Sequence, residues 1–243
     1  MDRIAKGEPA GFTDYIVQRR VEILKCINGF MDNEKTLLDI GCGNGASLLL
    51  INNYFSSCHG VDISETSLIQ LETKIINGKS ENITWSLEDI DINFCDWKTF
   101  DRIISFEVLE HVVNDQKLLK KMYTKLNPGG VMVITIPNKW WIFETHGAYL
   151  PILPWNRVPF FSWLPKFIHS RFAKARIYRK KDVIKLFNNT KFELTSINYV
   201  TAPMDVIKWD PLRNLLRRTI FKNHTTPIPF LATAIMVVCK RPD

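Results

Sequence analysis

An apolar run, Leu37, Leu38 and Ile40, breaks directly into glycines at 41, 43 and 45, and this junction constrains the chain more than any other feature. Such a run closed by residues that tolerate positive φ, with a helical stretch at 46–55 behind it, reads as strand, tight turn and helix. Glycine also lets a ligand come within contact distance of the main chain. Gly41, Gly43 and Ala46 meet the loose pattern G-x-G-x-x-G/A. Asp62 follows about 20 residues on, where an acid that binds ribose is expected. The pattern alone suits a dinucleotide as well as any other nucleoside ligand.

The rest of the chain repeats the alternation. Residues 12–30 carry helical periodicity through Tyr15, Ile16, Val21, Ile23, Leu24 and Ile27. Strand 36–40 and helix 46–55 follow, then strand 58–62 and a helix over 65–76 with Ser64 as its N-cap. Strands over 82–90 and 100–108 lead to an amphipathic helix at 114–126, which "LNPGG" closes, and to strand 131–137. A long irregular stretch, 138–178, precedes a helix at 179–188 and strands at 192–200 and 230–240. The expectation is an α/β, Rossmann-like, seven-stranded, mostly parallel sheet with helices on both faces and one antiparallel strand near the C-terminus. At 243 residues the chain suits a single domain over 1–243, with an N-terminal helix at 12–30 and an acceptor or lid insertion at 138–178.

Composition removes several classes. No apolar run approaches the roughly 20 residues of a membrane helix, and Met1–Lys6 lacks the apolar core of a secretory signal. The five cysteines (Cys26, Cys42, Cys58, Cys95, Cys239) are odd in number and show no CxxC spacing. They predict reduced thiols and a cytoplasmic location, not a disulfide frame or a zinc site. The formal charge of +7 is uneven: between Thr145 and Lys181 stand eight Arg or Lys residues and no acid. No oligomeric state follows from the sequence.

Two features bear on the ligand of the glycine turn. Asp39 lies just before it, where a pyrophosphate meets a like charge and a cation meets a partner. Glu88 and Asp89 end the third strand, placed to accept from an adenine amino group. A pocket rich in acceptors and poor in positive charge suits a positively charged nucleoside.

In order, "LLDIGCGNG", "GVDIS", "LEDI", "FDRIISFEVLEHV" and "LNPGGVMVITIPN" resemble the successive motifs of class I S-adenosylmethionine-dependent methyltransferases, over residues 37–138. Within that class they most resemble the branch of the ubiquinone and menaquinone O-methyltransferases. The resemblance implies that Asp39, Gly41, Cys42, Gly43 and Gly45 line the methionine moiety. It implies further that Asp62 takes the ribose hydroxyls, that Ile63 packs on the adenine, and that Asp89 and the backbone of Ile90 read the adenine edge. Phe106 and Glu107 then stand near the methyl donor.

"EVLEH" puts Glu107 past a strand end and Glu110 and His111 at the start of the next turn. Methyl transfer to a hydroxyl or ammonium needs the acceptor positioned and a proton removed. His111 titrates near working pH and suits that task. The string also resembles the metal motif of some O-methyltransferases, which implies Glu107, Glu110 and His111 as Mg²⁺ ligands. His146 is a further candidate, catalytic or ligating. In the structural alternative Glu110 caps its helix and His111 packs beneath the cofactor loop. All three roles are open at this point.

The stretch after strand 131–137 is aromatic and basic. It holds Trp140, Trp141, Trp155, Trp163, Phe160 and Phe161 and is broken by Pro151, Pro154, Pro159 and Pro165. Apolar surface beside Lys and Arg fits a lid over a hydrophobic small-molecule acceptor, such as a quinone, polyketide or prenyl-type lipid. It fits equally a segment lying on an anionic membrane. The absence of an RNA-binding module and the interrupting prolines argue against nucleic acid. The rival readings are an N-methyltransferase of a small amine, a 2′-O-methyltransferase of RNA, and a cofactor-binding partner subunit without activity. Arg19 or Arg20 can reach the site from the first helix, and residues 206–229 carry no assignment.

Overall fold

A computed structural model describes residues 9–91, 98–143 and 159–243. The glycine junction folds as expected: β1 (Thr36–Ile40) runs into the turn at Gly41, Gly43 and Gly45, all at positive φ, and α2 (Leu48–Ile51) follows. The preceding helix, α1, covers only Tyr15–Lys25. It starts after Asp14, whose carboxylate accepts from the Gly11 amide at 2.7 Å, and it ends before Gly29 at φ 66°. α2 is also shorter than its pattern. A 3₁₀ turn, Asn52–Tyr54, continues it, and Asn52 donates to Asn82 Oδ1 at 3.0 Å while its carbonyl accepts from Asn82 Nδ2 at 3.0 Å.

β2 (Ser57–Asp62), α3 (Glu65–Gly78), β3 (Ile83–Leu87), β4 (Phe100–Phe106), α4 (Asp115–Lys125) and β5 (Leu126–Pro137) complete the first half. Ser64 caps α3 by accepting from the Ser67 amide, and Asn114 caps α4 by accepting from Lys117. The "LNPGG" stretch does stop α4, but no separate loop follows. It forms the irregular start of β5, where the register jumps between Phe100↔Leu126 and Arg102↔Val131. α5 (Lys166–Phe172), α6 (Lys180–Asn188), β6 (Glu193–Thr201), α7 (Asp210–Arg218), β7 (Thr225–Thr226) and β8 (Ala232–Lys240) follow.

The sheet has eight strands in the order β3-β2-β1-β4-β5-β8-β6-β7. The expected count of seven is corrected by β7, a two-residue strand antiparallel to β6. Two residues carry no periodicity, so nothing in the sequence marks it. β1 to β5 are parallel, and β8 inserts antiparallel between β5 and β6.

Alternate residues of the strands serve opposite faces. Leu38, Ile103, Met132 and Ile134 pack with Leu119 and Met122 of α4 and Val183 and Phe187 of α6. Leu37, Ile104, Val131 and Val133 pack with Val21 and Leu24 of α1 and Leu48 and Ile51 of α2. Helices therefore cover both faces. Among the described residues no helix is long and apolar enough to cross a membrane.

The segment after β5 is closed at its root. Asn138 bridges Tyr178, Lys139 N donates to the Tyr178 carbonyl at 2.9 Å, and Tyr178 N donates to that of Pro137 at 3.1 Å. His146, Pro151, Pro154 and Trp155 lie outside the described residues.

Candidate functional site

Strand order reverses between β1, whose neighbour on one side is β2, and β4 on the other, so the carboxyl ends of β1 to β4 frame a crevice. Every described residue expected to hold the ligand lies at or just past one of those four ends: Asp39, Cys42 and the glycines at β1, Asp62 and Ile63 at β2, Asp89 and Ile90 after β3, Phe106 and Glu107 at β4.

Asp62 organises the crevice. One carboxylate oxygen accepts from the Gly43 amide at 2.7 Å and the other from the Ser64 amide at 2.8 Å. The Gly41 and Cys42 amides donate to the Val61 carbonyl at 2.7 and 3.0 Å. The turn is thus pinned to the end of β2 at both levels. Each Asp62 oxygen keeps a further lone pair for hydroxyl donors. Ile63 beside it is 37% exposed, an apolar surface open to a flat ring. Asp89 instead accepts from the Asp91 amide at 3.0 Å, shaping the turn after β3, and Asp91 in turn accepts from Val113 at 3.1 Å. The Ile90 carbonyl accepts from Lys121 at 2.9 Å, and Glu88 accepts from Ser86 at 2.9 Å.

Asp39 is 3% exposed, and among the described residues no hydrogen bond reaches its carboxylate. Burial first, and the Asp62 charge second, push its pKa up to about 8, against a downward pull from Arg20. Cys42, buried against Leu68 and Leu71, has its thiol pushed up by burial and by the same two acids, so it behaves as a packing group.

The pocket is less poor in positive charge than the sequence suggested. Arg20 of α1 pairs with Glu107 at 3.1 Å and lies 5.2 Å over the Phe106 ring. Arg19 turns away to the carbonyls of Phe221 and Asn223, which resolves the choice between the two. Glu107 stands at φ 59°, a conformation non-glycine residues rarely hold. Its amide donates to the Thr135 carbonyl at 3.1 Å and its carboxylate accepts from the Thr135 hydroxyl at 3.1 Å. Strain of this kind is concentrated at working sites.

The expected metal set does not assemble. Glu107 turns to Arg20 and Thr135, Glu110 is fully buried, and His111 Nε2 stays 3.9 Å from Glu110 Oε1. Among the described residues no three His, Cys, Asp or Glu side chains gather to hold a metal ion. Glu107 itself is turned by its positive φ and held by Arg20 and Thr135. The turn beyond it is held from outside by Arg176. Its amide donates to the Glu110 carbonyl at 3.2 Å, and its guanidinium to those of Leu109 at 3.0 Å, Val113 at 3.3 Å and Val112.

Sequence reasoning missed three wall elements that carry no local signal. Val108 covers the turn so closely that a Cβ on Gly41 would come 2.2 Å from its Cγ2. Pro9 lies over Gly43, and Asn44 donates to the Ala10 carbonyl at 3.2 Å, so the first described residues roof the turn. Arg176 is the third. Because Gly41 also sits at φ 76°, Gly41→Ala is expected to lower unfolding free energy by roughly 2–4 kcal/mol, combining backbone strain with overpacking. Urea denaturation measures it, and a change under about 0.5 kcal/mol would contradict the packing described.

Comparison with known proteins agrees with this geometry. A family model described as a methyltransferase domain matches residues 8–197. A ubiquinone biosynthesis O-methyltransferase of Coxiella burnetii is 33% identical over 105 residues, which are 43% of this chain and 44% of that protein. Phosphoethanolamine N-methyltransferase 2 of Caenorhabditis elegans is 30% identical over 121 residues, 49% of this chain and 28% of that one. The chain therefore matches less than half the length of these relatives. The crystal structure of an S-adenosylmethionine-dependent methyltransferase from Mesorhizobium loti superposes with a TM-score of 0.63 at 17% identity, covering 92% of this chain and 98% of the other. The glycine turn, the acids at four strand ends and the matched residues together establish that the chain belongs to the methyltransferase domain family and has the fold of its S-adenosylmethionine-dependent members.

Proposed function

We propose that the protein is an S-adenosylmethionine-dependent methyltransferase acting on an oxygen of a hydrophobic small molecule, of quinone, polyketide or prenyl-lipid type, at a membrane surface. The observation that carries the cofactor is Asp39, a buried carboxylate with no described donor, placed at the turn where a ligand meets the main chain. Arg20 acts on this carboxylate against burial and the Asp62 charge, and a cationic ligand at the turn adds a second positive partner. Asp62, already fixed by two backbone amides, keeps lone pairs for ribose hydroxyls, and Ile63 offers its side chain to the adenine. Asp89 and the Ile90 backbone border the adenine edge. Bound there, S-adenosylmethionine supplies a methyl carbon activated by its sulfonium. Phe106 and the Arg20–Glu107 pair form the wall nearest the end of β4.

His111 takes the acceptor's proton in this reading. It stands in the turn beyond Glu107, 12% exposed at its side chain, and its neighbour Glu110 orients it. His146 is the second candidate for the acceptor side. Among the described residues Glu107, Glu110 and His111 do not gather around a common point, so this reading assigns them no Mg²⁺. The Coxiella burnetii relative supports oxygen as the accepting atom. The Caenorhabditis elegans relative favours nitrogen as the second reading. The segment 138–178, rooted by the Asn138–Tyr178 bridge, serves as acceptor wall and lid.

Incubation with S-adenosylmethionine and a panel of catechols, hydroquinones and amines, read as the demethylated thioether formed, tests the assignment. Turnover with a phenolic acceptor is expected, and uptake of NAD without uptake of S-adenosylmethionine overturns it. His111→Ala is expected to cost about 10²–10⁴-fold in kcat while cofactor affinity and melting temperature stay unchanged. Full activity in a folded His111→Ala protein removes its role as base.

A further inference from the structure

We infer that α7, with the aromatic patch beside it, is the surface by which this protein docks on anionic phospholipid. The inference deepens the proposed function, on which it rests for the nature of the acceptor, by naming where the membrane is met.

A surface helix normally turns its apolar stripe inward. α7 does the reverse. Trp209, Leu212 and Leu215 are 66, 37 and 58% exposed, and no residue of the helix is buried. Two of its three arginines face the protein instead. Arg213 pairs with Asp210 at 2.8 Å and donates to the Ile207 carbonyl at 3.2 Å. Arg217 binds Asp205 and the Pro203 carbonyl and lies 4.2 Å over the Tyr15 ring. Only Leu216 packs, against the cluster of Trp141, Ala202, Met204 and Phe221. The helix is therefore held by its polar side and by Leu216, with Leu212 and Leu215 offered outward.

A second apolar patch borders the same cluster, to which Leu231 also packs. Phe160, Trp163 and Phe230 form a chain of rings with centroids 5.1 and 5.5 Å apart, and all three are exposed. Tryptophan and phenylalanine of this kind settle at the level of lipid headgroups. The charge around both patches selects an anionic surface. Lys208, Arg218 and Lys222 are exposed around α7, and Lys166 and Arg171 around the aromatic patch. The two acids of α7 and its approach, Asp205 and Asp210, are already taken by arginines. Both patches follow the ends of β5 and β6, which point the same way as the strands that frame the cofactor crevice. A hydrophobic acceptor leaving the bilayer would enter at that edge.

The test is co-sedimentation of the full chain with phosphatidylcholine vesicles, with and without phosphatidylglycerol, at low and high salt. Binding to the anionic vesicles at low salt, weakened by salt, is expected. Leu212→Glu with Leu215→Glu should weaken it roughly tenfold or more, and Arg218→Gln with Lys222→Gln by about the same factor. All four side chains are exposed, so melting temperature and cofactor calorimetry should not move. Failure of the wild-type chain to sediment at low salt, or leucine variants that sediment like wild type, overturns the inference. So does a self-associated protein that Leu215→Glu dissolves into monomers without any vesicle binding, since the face then serves a second copy. Vesicle binding without uptake of S-adenosylmethionine upholds the surface and sinks the enzymatic reading alone. Uptake of S-adenosylmethionine without vesicle binding does the opposite.

Discussion

An Asp62→Ala protein will lose S-adenosylmethionine binding by at least about 100-fold and will unfold more easily by roughly 2–5 kcal/mol. Both effects come from one carboxylate. It accepts from the amides of Gly43 and Ser64 at 2.7 and 2.8 Å, so its removal orphans two half-buried donors and releases the glycine turn from β2. It also removes the acceptor proposed for the ribose. Asp62→Asn separates the contributions only in part. An amide has one accepting oxygen, and its NH₂ must face one of the two backbone N–H groups as a like dipole. The asparagine variant should therefore fall between wild type and alanine in urea denaturation, yet stay near alanine in calorimetric affinity. Affinity within a few-fold of wild type in either variant would remove Asp62 from the cofactor site.

The second large effect concerns pH. Asp39 keeps its proton in the folded chain up to about 8, against an ordinary 3.8, because burial and the charge of Asp62 disfavour the anion. Below 3.8 the group is protonated in folded and unfolded chains alike, and it exacts no penalty. Between 3.8 and about 8 the unfolded chain ionises while the folded one does not. Stability from this group therefore falls as pH rises across that window and levels off above it. Asp39→Asn should match wild type at pH 4 and exceed it at pH 8, on the order of a few kcal/mol. A sulfonium nucleoside reverses the preference by supplying a positive partner. Cofactor uptake at pH 7 should then release close to one proton, and affinity should rise up to about tenfold per pH unit until pH 8. Calorimetry in two buffers of different ionisation enthalpy reads the proton directly. No release, or the same release from Asp39→Asn, means that Asp39 does not face the cation.

The central fold was legible because its signals are local and repeated. Leu37 and Leu38 serve opposite faces of the sheet by simple alternation, and Ser64 caps the helix its position announces. The crevice residues could be named because each follows a strand end, and strand ends are readable one at a time. Contacts between distant segments could not be read in this way. Arg19 and Arg20 are indistinguishable in sequence, and only the packing of α1 sends the second toward Glu107. Nor does any residue type demand the positive φ of Glu107, in a string whose acids and histidine form no described metal cluster. The outward face of α7 was illegible for a different reason. Its pattern is an ordinary amphipathic helix, and nothing in the pattern says which face turns outward.

Arg176 gives the segment after β5 a consequence beyond shape. Its guanidinium and amide take four carbonyls of the turn that carries His111, while the adjacent Tyr178 is bridged to Asn138 at the base of the excursion. The root of that segment and the turn that carries His111 are thus tied together. Under the proposed reading, a change at Arg176 therefore reaches His111 as well as the base of the segment.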